Sequence, residues 1–392
     1  MSEKRSFTYS GSRVFALQCE DNTFNFHLKT HQPQTYSFFD FRHYNSRSML
    51  RQIPCLLLFA AFAVSGKAQD PIFSQFYSAP LMLNPAFAGN TYEPRIAMNY
   101  RNQFPAVVDG STAFATYAVS YEQFVPSLNS GVGLLVKTDN AGGGLYKTTK
   151  VGFTYAYRVQ LNDNFNIKIG LEAGFRQINL DYNKLVFFDQ LDPLTGSVDP
   201  AGNPNPSNEI PPDATSTTNF DVGAGILVYN NVFYGGISIK HLNTPNENLL
   251  NINDGLSDGL SMRVSVHGGA QFTIREGNNS HPATFISPNI LIVKQGNQGQ
   301  VNAGAYLSWK SVFFGGWFRY AYTNSDAIIG LIGYQWDIFK LGYSYDATIS
   351  SLSSAPSGGA HEISLVLNFD NSARLKAKRH AERYNDCFKI FR

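Results

Sequence analysis

Apolar and polar residues alternate one by one through most of the chain after residue 94. The clearest case is the stretch that ends at Phe369. One side of it is apolar: Ile363, Leu365, Leu367 and Phe369. The other side carries Glu362, Ser364, Val366 and Asn368. A period of two is that of a β-strand between two different environments. A last strand that ends on an aromatic residue is typical of outer-membrane β-barrels, in which it pairs with the first strand.

The same alternation predicts about fourteen strands, and an even number is usual for single-chain bacterial barrels. They lie at 94–103, 112–124, 131–138, 149–160, 165–177, 219–229, 232–241, 260–275, 286–295, 300–309, 312–321, 326–335, 337–347 and 360–369. The stretch Tyr182–Asp189 also has some strand character. Counting it would break the even number, so we assign it to a loop.

The two faces of these strands differ in a way that favours a membrane. Aromatic residues crowd the apolar face near strand ends, as in the interfacial girdles of barrels, whereas charged residues and glycines occupy the other face. A soluble β-sandwich also alternates but lacks this combination. We therefore predict an all-β fold: a transmembrane outer-membrane β-barrel of about 14 antiparallel strands spanning residues 94–369.

Charged residues on the inward face raise a choice between a plug and a pore. They are Arg158, Lys168, Glu172, Arg176, Arg263 and Arg275. They form either a neutralised, salt-bridged packing or the wall of a channel, and we favour packing. Ionisable groups at membrane depth must pair or contact water.

The connections between predicted strands are asymmetric. Most of the even-numbered connections are tight turns, whereas the odd-numbered ones include 178–218, 242–259 and 348–359, which are long and rich in Gly, Pro, Ser, Asn and Asp. Short periplasmic turns and long outer loops are expected of a bacterial barrel.

The segment 49–68 has the form of a secretory signal peptide. Arg51 precedes an apolar run from Ile53 to Val64, and Gly66-Lys67-Ala68 places small residues at the cleavage site. We predict cleavage after Ala68. Residues 1–48 then form an upstream extension that is not part of the mature protein, either from a misassigned start or as an unusually long presequence.

Two further segments flank the barrel. Residues 69–93 are Pro-rich, and Pro71, Pro80 and Pro85 exclude a regular helix or a central strand there. Because Leu81-Met82-Leu83 is apolar, we expect this segment to pack, within the barrel mouth or against a periplasmic component. Residues 370–392 form a basic tail, which we expect to be solvated or to dock a periplasmic partner as a short helix.

Composition narrows the function classes. Aromatic residues make up 14% of the chain and charged residues only 15%, the net charge is +2, and the mean hydropathy is −0.20. These values suit neither a nucleic-acid-binding protein nor a helical membrane protein. Only Cys387 of the three cysteines follows the predicted cleavage site, so no internal disulfide is expected.

We find no arrangement that predicts catalysis. Gly142-Gly143-Gly144 is separated from Lys147 by Leu145 and Tyr146, so it does not form a phosphate loop. His361-Glu362 has no second histidine at metalloprotease spacing, and the acidic loop with Asp254 and Asp258 does not match a calcium loop. We predict a protein that is not an enzyme and binds no cofactor or metal. A lipid-modifying barrel enzyme is the weakest alternative.

Several short motifs, in order along residues 69–369, resemble the PorP/SprF family of outer-membrane proteins associated with the type IX secretion system of Bacteroidetes. They are Phe73-Ser74-Gln75-Phe76, Asn84-Pro85-Ala86-Phe87-Ala88-Gly89, Tyr100-Arg101-Asn102-Gln103-Phe104-Pro105, Gly131-Val132-Gly133 with Asp139, Gly342-Tyr343-Ser344-Tyr345-Asp346 and Gly358-Gly359-Ala360-His361-Glu362. The candidate motif residues are Phe73, Ser74, Gln75, Phe76, Asn84, Pro85, Ala86, Gly89, Arg101, Gln103, Pro105, Asp346, His361 and Glu362. Position 104 is Phe where the family pattern has Trp.

The resemblance implies a non-enzymatic barrel in the outer membrane that supports export or surface anchoring of a secreted cargo protein with a C-terminal sorting domain, in some members a gliding adhesin. Its partners would be outer-membrane lipid, that cargo and other type IX secretion components, with no nucleic acid. The alternative hypothesis, motivated by the charged lumen, is a passive or substrate-specific outer-membrane channel.

Overall fold

The computed structural model describes residues 70–107, 113–162, 164–211, 214–247, 249, 259–276, 283–322, 324–349, 357–372, 387, 388 and 391. The predicted upstream extension 1–48, the predicted signal peptide 49–68 and its cleavage site lie outside these residues. So does most of the acidic loop around Asp254.

Fifteen antiparallel strand segments form one sheet. They are β1 (Arg95–Gln103), β2 (Phe114–Val125), β3 (Ser130–Ala141), β4 (Tyr146–Gln160), β5 (Asn166–Leu180), β6 (Ser216–Tyr229), β7 (Phe233–Lys240), β8 (Arg263–Ala270), β9 (Phe272–Arg275), β10 (Thr284–Gln295), β11 (Gln298–Trp309), β12 (Val312–Ala321), β13 (Asn324–Trp336), β14 (Phe339–Thr348) and β15 (Ala360–Asn368).

The sheet closes on itself. β15 pairs with β1 along its whole length, from Arg95 opposite Asn368 to Gln103 opposite Ala360. β8 and β9 continue one another on either side of Gln271, and both pair with β10. The barrel therefore has 14 strands, as predicted, and the predicted closure of the last strand on the first is confirmed. Closure pairs the backbone groups of β1 and β15 with each other, so these two strands are not left as edges facing lipid.

The two ends of the barrel differ. Short connections such as 126–129, 161–165 and 230–232 lie at the end where β1 begins and β15 stops. The connections 181–215, 241–262 and 349–359 lie at the opposite end. By the usual asymmetry of such barrels, the first end is periplasmic and the second is the outer end. Tyr182–Asp189 belongs to the long connection 181–215, where it forms parts of two 3₁₀ helices, Tyr182–Lys184 and Phe188–Gln190.

Outward-facing and inward-facing residues alternate as the sequence predicts. On β4 and β5, Phe153, Leu171 and Phe175 are exposed, whereas Glu172 and Arg176 are buried inside. Large apolar side chains on the outer surface suit a hydrocarbon solvent. Among the residues that the structure describes, no helix has the length and apolar character needed to cross a bilayer.

The Pro-rich segment fills the lumen. It forms a short helix, α1 (Pro80–Leu83), and a 3₁₀ helix (Pro85–Phe87). Pro80 and Pro85 each begin a helical turn, where the fixed proline φ is favourable and no amide is required. Asn84 ends α1, and its side chain accepts a hydrogen bond from the Ala86 amide, which caps the second turn.

Glycines on the lumen face let this segment lie directly on the barrel wall. A Cβ at Gly170 would meet Ala86 N at 2.3 Å, and one at Gly131 would meet Ala88 O at 2.0 Å. At Gly225, a Cβ would meet Asn84 Oδ1 at 2.0 Å. We call these three residues the glycine cradle. It explains why glycines recur on the inward face of the alternating pattern.

Two sequence expectations are wrong. The tail is not simply solvated, because Cys387, Phe388 and Phe391 are buried against Phe87 and Tyr234. Arg275 does not line the lumen: it is exposed on β9. β9 pairs with β10 but extends beyond β7, whose Phe233 lies opposite Ala270. The alternating pattern correctly indicated a strand there, but it could not show that the end of this strand projects beyond the neighbouring strand β7.

Candidate functional site: a filled lumen and a braced outer loop

The first family-like motif meets the last one inside the barrel. Both Glu362 carboxylate oxygens accept backbone hydrogen bonds, from Ser74 N at 2.7 Å and Gln75 N at 2.9 Å. Gln75 Nε2 donates to Ser344 Oγ at 3.0 Å, and Ser364 Oγ donates to Gln75 Oε1 at 2.7 Å. The Ser74-Gln75 turn is therefore held by β14 and β15 from nearly 300 residues away in sequence.

Two arginines complete this cluster. Asp346 Oδ2 accepts hydrogen bonds from Arg101 Nη1 at 2.9 Å, Arg319 Nη2 at 2.8 Å and Ser74 Oγ at 2.7 Å. Arg101 also pairs with Glu362. All these side chains are almost fully buried, where an unpaired charge would be costly. Two carboxylates and two guanidinium groups balance one another, so the cluster can fix the segment without a counter-ion.

The second motif is fixed by a histidine on β8. Asn84 Nδ2 donates to Ile226 O at 3.1 Å and lies 3.0 Å from His267 Nε2. The His267 ring stacks on Phe87 with centroids 5.1 Å apart. Asn84, Pro85 and Ala86 thus form a rigid turn on the glycine cradle. Gly89 follows with a φ of +70° and approaches Gly131 so closely that a Cβ would meet Gly131 Cα at 2.5 Å.

Asp70 anchors the beginning of the segment. Its carboxylate faces four basic side chains: Arg176 at 2.7 Å, Lys137 at 3.3 Å, Arg263 at 3.5 Å and His241 Nε2 at 2.5 Å. Burial alone would raise the pKa of Asp70. The charges of Lys137, Arg176 and His241 outweigh burial and hold this pKa well below its usual value.

An outer loop extends the Asp70 cluster. Glu247, in the connection between β7 and β8, pairs with Arg176 from the outer side. Burial raises the pKa of Glu247, whereas Arg176 acts in the opposite direction. The Arg176 guanidinium group therefore links the Asp70 cluster to the outer connection.

Most of the predicted lumen charges lie within this packing. Glu172 forms ion pairs with Lys150 at 2.6 Å and with Lys240 at 2.7 Å, and Arg263 Nη2 donates to Met82 O at 2.6 Å. Lys168 Nζ donates to Ala88 O at 2.6 Å. Arg158 is only half-buried. It lies at the periplasmic end, bonded to Asn129 and above the Phe124 ring.

The remaining candidate residues are dispersed. Phe73 and Phe76 are buried in separate apolar clusters. Gln103 ends β1, and Pro105 lies against the outer connection near Gly358. His361 is on the outer face, 2.8 Å from the Tyr343 hydroxyl.

Sequence reasoning missed several residues of the site. The sequence patterns do not single out Asp70, Lys137, His241 or Arg319, although the last three lie on predicted strands. It also missed an aromatic part of the lumen formed by Tyr229, Tyr234, Tyr306, Phe313 and Trp317. The available signal was β12, where aromatic residues occupy both faces of one strand (Phe313 and Trp317 inward, Phe314 and Phe318 outward).

The long outer connection 181–215 is braced by its own hydrogen bonds. Gln190 Nε2 donates to Asn205 O at 2.7 Å, and Asn205 Nδ2 donates back to Gln190 O at 2.8 Å. Asp189 accepts from the Asn208 amide at 2.6 Å. Backbone hydrogen bonds hold the pKa of Asp189, Asp192 and Asp199 below its usual value. These carboxylates therefore stabilise turns of the loop by accepting hydrogen bonds from its backbone amides.

This braced loop presents apolar side chains to solvent. Phe188 is 92% exposed, Leu194 94% and Ile210 88%. The connection carries Asp181, Asp189, Asp192, Asp199, Glu209 and Asp213 against a single basic residue, Lys184. It can therefore offer a partner both apolar contact and negative charge.

Within the described residues, no group of His, Cys, Asp and Glu is arranged to hold a metal ion. Gly255-Leu256-Ser257-Asp258-Gly259 has the spacing of a hydrolase nucleophile elbow. Such an elbow joins a strand to a helix, whereas this stretch lies in the connection between two strands, β7 and β8. Residues 255–258 lie outside the described part of the chain.

The closed 14-strand sheet and the segment packed inside it together define a plugged β-barrel of the outer-membrane type. A family model described as type IX secretion system membrane protein PorP/SprF matches residues 65–367. The chain belongs to this family, and the resemblance seen in its motifs is confirmed.

Solved structures similar to the chain are also outer-membrane barrels. The toluene transporter TbuX of Ralstonia pickettii is 11% identical with a TM-score of 0.42, covering 74% of this chain and 92% of that one. The porin KdgM is 9% identical with a TM-score of 0.31, covering 70% and 99%. BamA of Haemophilus ducreyi, lacking POTRA domains 1–3, is 11% identical with a TM-score of 0.34, covering 70% of each chain. No curated protein matches the chain.

Proposed function

We propose that the protein is a non-enzymatic outer-membrane scaffold of the type IX secretion system that supports export or surface anchoring of a secreted partner. The partner would carry a C-terminal sorting domain, and a gliding adhesin is one such cargo. The observation that carries the proposal is the outer connection 181–215, which is rigidly braced and keeps Phe188, Leu194 and Ile210 exposed. Membership of the PorP/SprF family supports the secretion context.

The filled lumen supports a scaffold rather than a conduit. Segment 70–91 is tied to the wall by buried salt bridges, by hydrogen bonds to β14 and β15, and by the glycine cradle. A barrel whose interior is occupied in this way can present its outer loops to a partner at the cell surface.

Exposed apolar side chains on a fixed loop favour binding. Apolar patches on a protein surface often mark sites where a partner binds, and Phe188, Leu194 and Ile210 all belong to one loop. Aromatic and aliphatic anchors of this kind contribute much of the free energy of protein association. The acidic residues around them would attract a basic partner surface and speed its association.

The test is a loop variant in the native cell. Phe188→Ser, Leu194→Ser and Ile210→Ser together should reduce surface display of the cargo on the order of ten-fold or more, because the loss of several interface anchors weakens binding. Display is measured by surface labelling and mass spectrometry of whole cells, with the level of the barrel measured in parallel.

The matched control carries Leu128→Ser and Leu161→Ser, which replace apolar residues that are 57% and 59% exposed at the opposite end of the barrel. This control should display cargo normally. Unchanged display of every secreted protein in the loop variant, at normal barrel levels, would contradict the scaffold proposal.

The channel alternative makes a different prediction. Because the segment packs inside the lumen, purified intact protein should give no conductance steps in a planar bilayer. Regular steps from protein that retains the packed segment would favour the channel instead.

A further inference from the structure

An aromatic pocket in the periplasmic half of the lumen is filled by residues from the other end of the chain. Cys387, Phe388 and Phe391 are at most 1% exposed. The Phe391 ring stacks on Phe87 with centroids 4.9 Å apart, and the Phe388 ring lies 4.7 Å from that of Tyr229. Two aromatic side chains spaced three residues apart thus share one pocket.

The pocket walls are held independently of this occupant. Tyr234 donates its hydroxyl proton to Asn289 Oδ1 at 2.5 Å. Phe87 is fixed by its stack on His267 and by the hydrogen bond from its amide to Asn84 O at 3.1 Å. Phe76 packs edge-on against Trp317 with centroids 4.9 Å apart. None of these wall contacts involves Cys387, Phe388 or Phe391.

The pocket lies towards the periplasmic end of the barrel. Tyr229 and Tyr234 flank the short turn between β6 and β7, at the end of the barrel where β15 stops. The occupant is joined to β15 by the residues that follow Ser372 in sequence. Covalent linkage within one chain raises the effective concentration of a ligand at its site, so the pocket can be filled without high intrinsic affinity.

We propose that this pocket is a binding site for a polypeptide segment that bears two aromatic side chains three residues apart, and that Phe388 and Phe391 are the anchors of its resident ligand, which the same chain supplies. A segment of the same chemistry, presented from the periplasm, takes the pocket when the resident one leaves. The proposal is independent of cargo binding by the outer loop, because the two sites lie at opposite ends of the barrel.

The first test follows exchange of the resident segment through Cys387. In membranes containing the full chain, maleimide labelling at Cys387, read by mass spectrometry, should be slow because the thiol is buried. Phe388→Ala with Phe391→Ala should speed labelling on the order of ten-fold or more, since both anchors of the buried segment are lost. Equally fast labelling of the unaltered chain and of denatured protein would overturn the proposal.

The second test asks whether the pocket binds in trans. The probe is a fluorescent peptide with the sequence of residues 386–392 carrying Cys387→Ser. It should bind saturably to the Phe388→Ala and Phe391→Ala full-length barrel and about ten-fold or more weaker to the unaltered barrel, whose pocket is occupied. A peptide with alanine at both phenylalanine positions is the specificity control.

Folding of the double variant is checked by its retained heat-modifiable migration on gels. Equal binding of both peptides, or no binding to a folded variant, would overturn the proposal. Loss of peptide binding with normal cargo display would leave the scaffold function intact, so failures of the two proposals are distinguishable.

Discussion

Asp70 shows how much one residue of the lumen segment contributes. Lys137, Arg176, His241 and Arg263 converge on its carboxylate from four different strands or strand ends. Without it, these four buried basic groups would lose the carboxylate that they share. The segment therefore supplies a charge that the wall needs, and the wall supplies the contacts that hold the segment.

Replacing Asp70 by Asn should loosen the segment. Removing one partner of a buried ion pair costs about 3–5 kcal/mol, because the remaining charges lose their compensation. Backbone amides at 70–78 should therefore exchange hydrogen much faster, measured by mass spectrometry at neutral pH. Asp199→Asn, in an exposed loop turn, is the control and should leave these amides unchanged. Equal protection in both variants would mean that Asp70 is not an anchor.

The barrel strands were predictable from sequence because successive residues of a strand face opposite sides of the sheet and therefore differ in polarity. Each residue of β4 or β5 alternates between lipid and lumen, so the pattern is local. The contact of Ser74 with Glu362 is not local, and nothing in the residues around Ser74 indicates which wall it meets. Motif resemblance identified both residues, but only the structure brings them together.

The glycine cradle links strand and segment. Gly170→Ala places a Cβ where Ala86 N lies at 2.3 Å, so the segment must shift or the strand must yield. Such overpacking costs about 1–3 kcal/mol. Amides of residues 80–89 should lose hydrogen-exchange protection.

Gly316→Ala is the matched control, because a Cβ there meets nothing within 4 Å. It lies on β12 and adds the same methyl group to the outer face. A loss of protection at residues 80–89 in the control as large as in Gly170→Ala would refute the cradle.

The molecule as a whole consists of a wall, which is the 14-strand barrel, and a filling, which is the set of flanking segments packed in its lumen. Different forces stabilise the two parts. The wall is a closed ladder of backbone hydrogen bonds with apolar side chains outside, and this is the part that alternation predicted. The filling comes from both flanking segments, and the basic composition of 370–392 concealed that Phe388 and Phe391 are buried. The average charge of a segment does not indicate whether two individual aromatic residues within it are buried.

Lowering the pH should therefore release the filling of the lumen before it disrupts the strands of the wall. The folded pKa of Asp70 is lowered, so its stabilising contribution is complete above its unfolded pKa of about 3.9 and is lost as pH falls through the lower folded value. The difference in protection of residues 70–78 between the unaltered protein and Asp70→Asn should be constant above about pH 4 and shrink below it.

Hydrogen exchange corrected for its intrinsic pH dependence measures this difference, and amides of β4 and β5 in the same samples report on the wall. They should stay protected throughout, because their hydrogen bonds carry no titratable group. A difference that already vanished near pH 6 would require a raised Asp70 pKa and contradict the charge arrangement. Simultaneous loss of protection in strands and segment would show that wall and filling unfold as one unit.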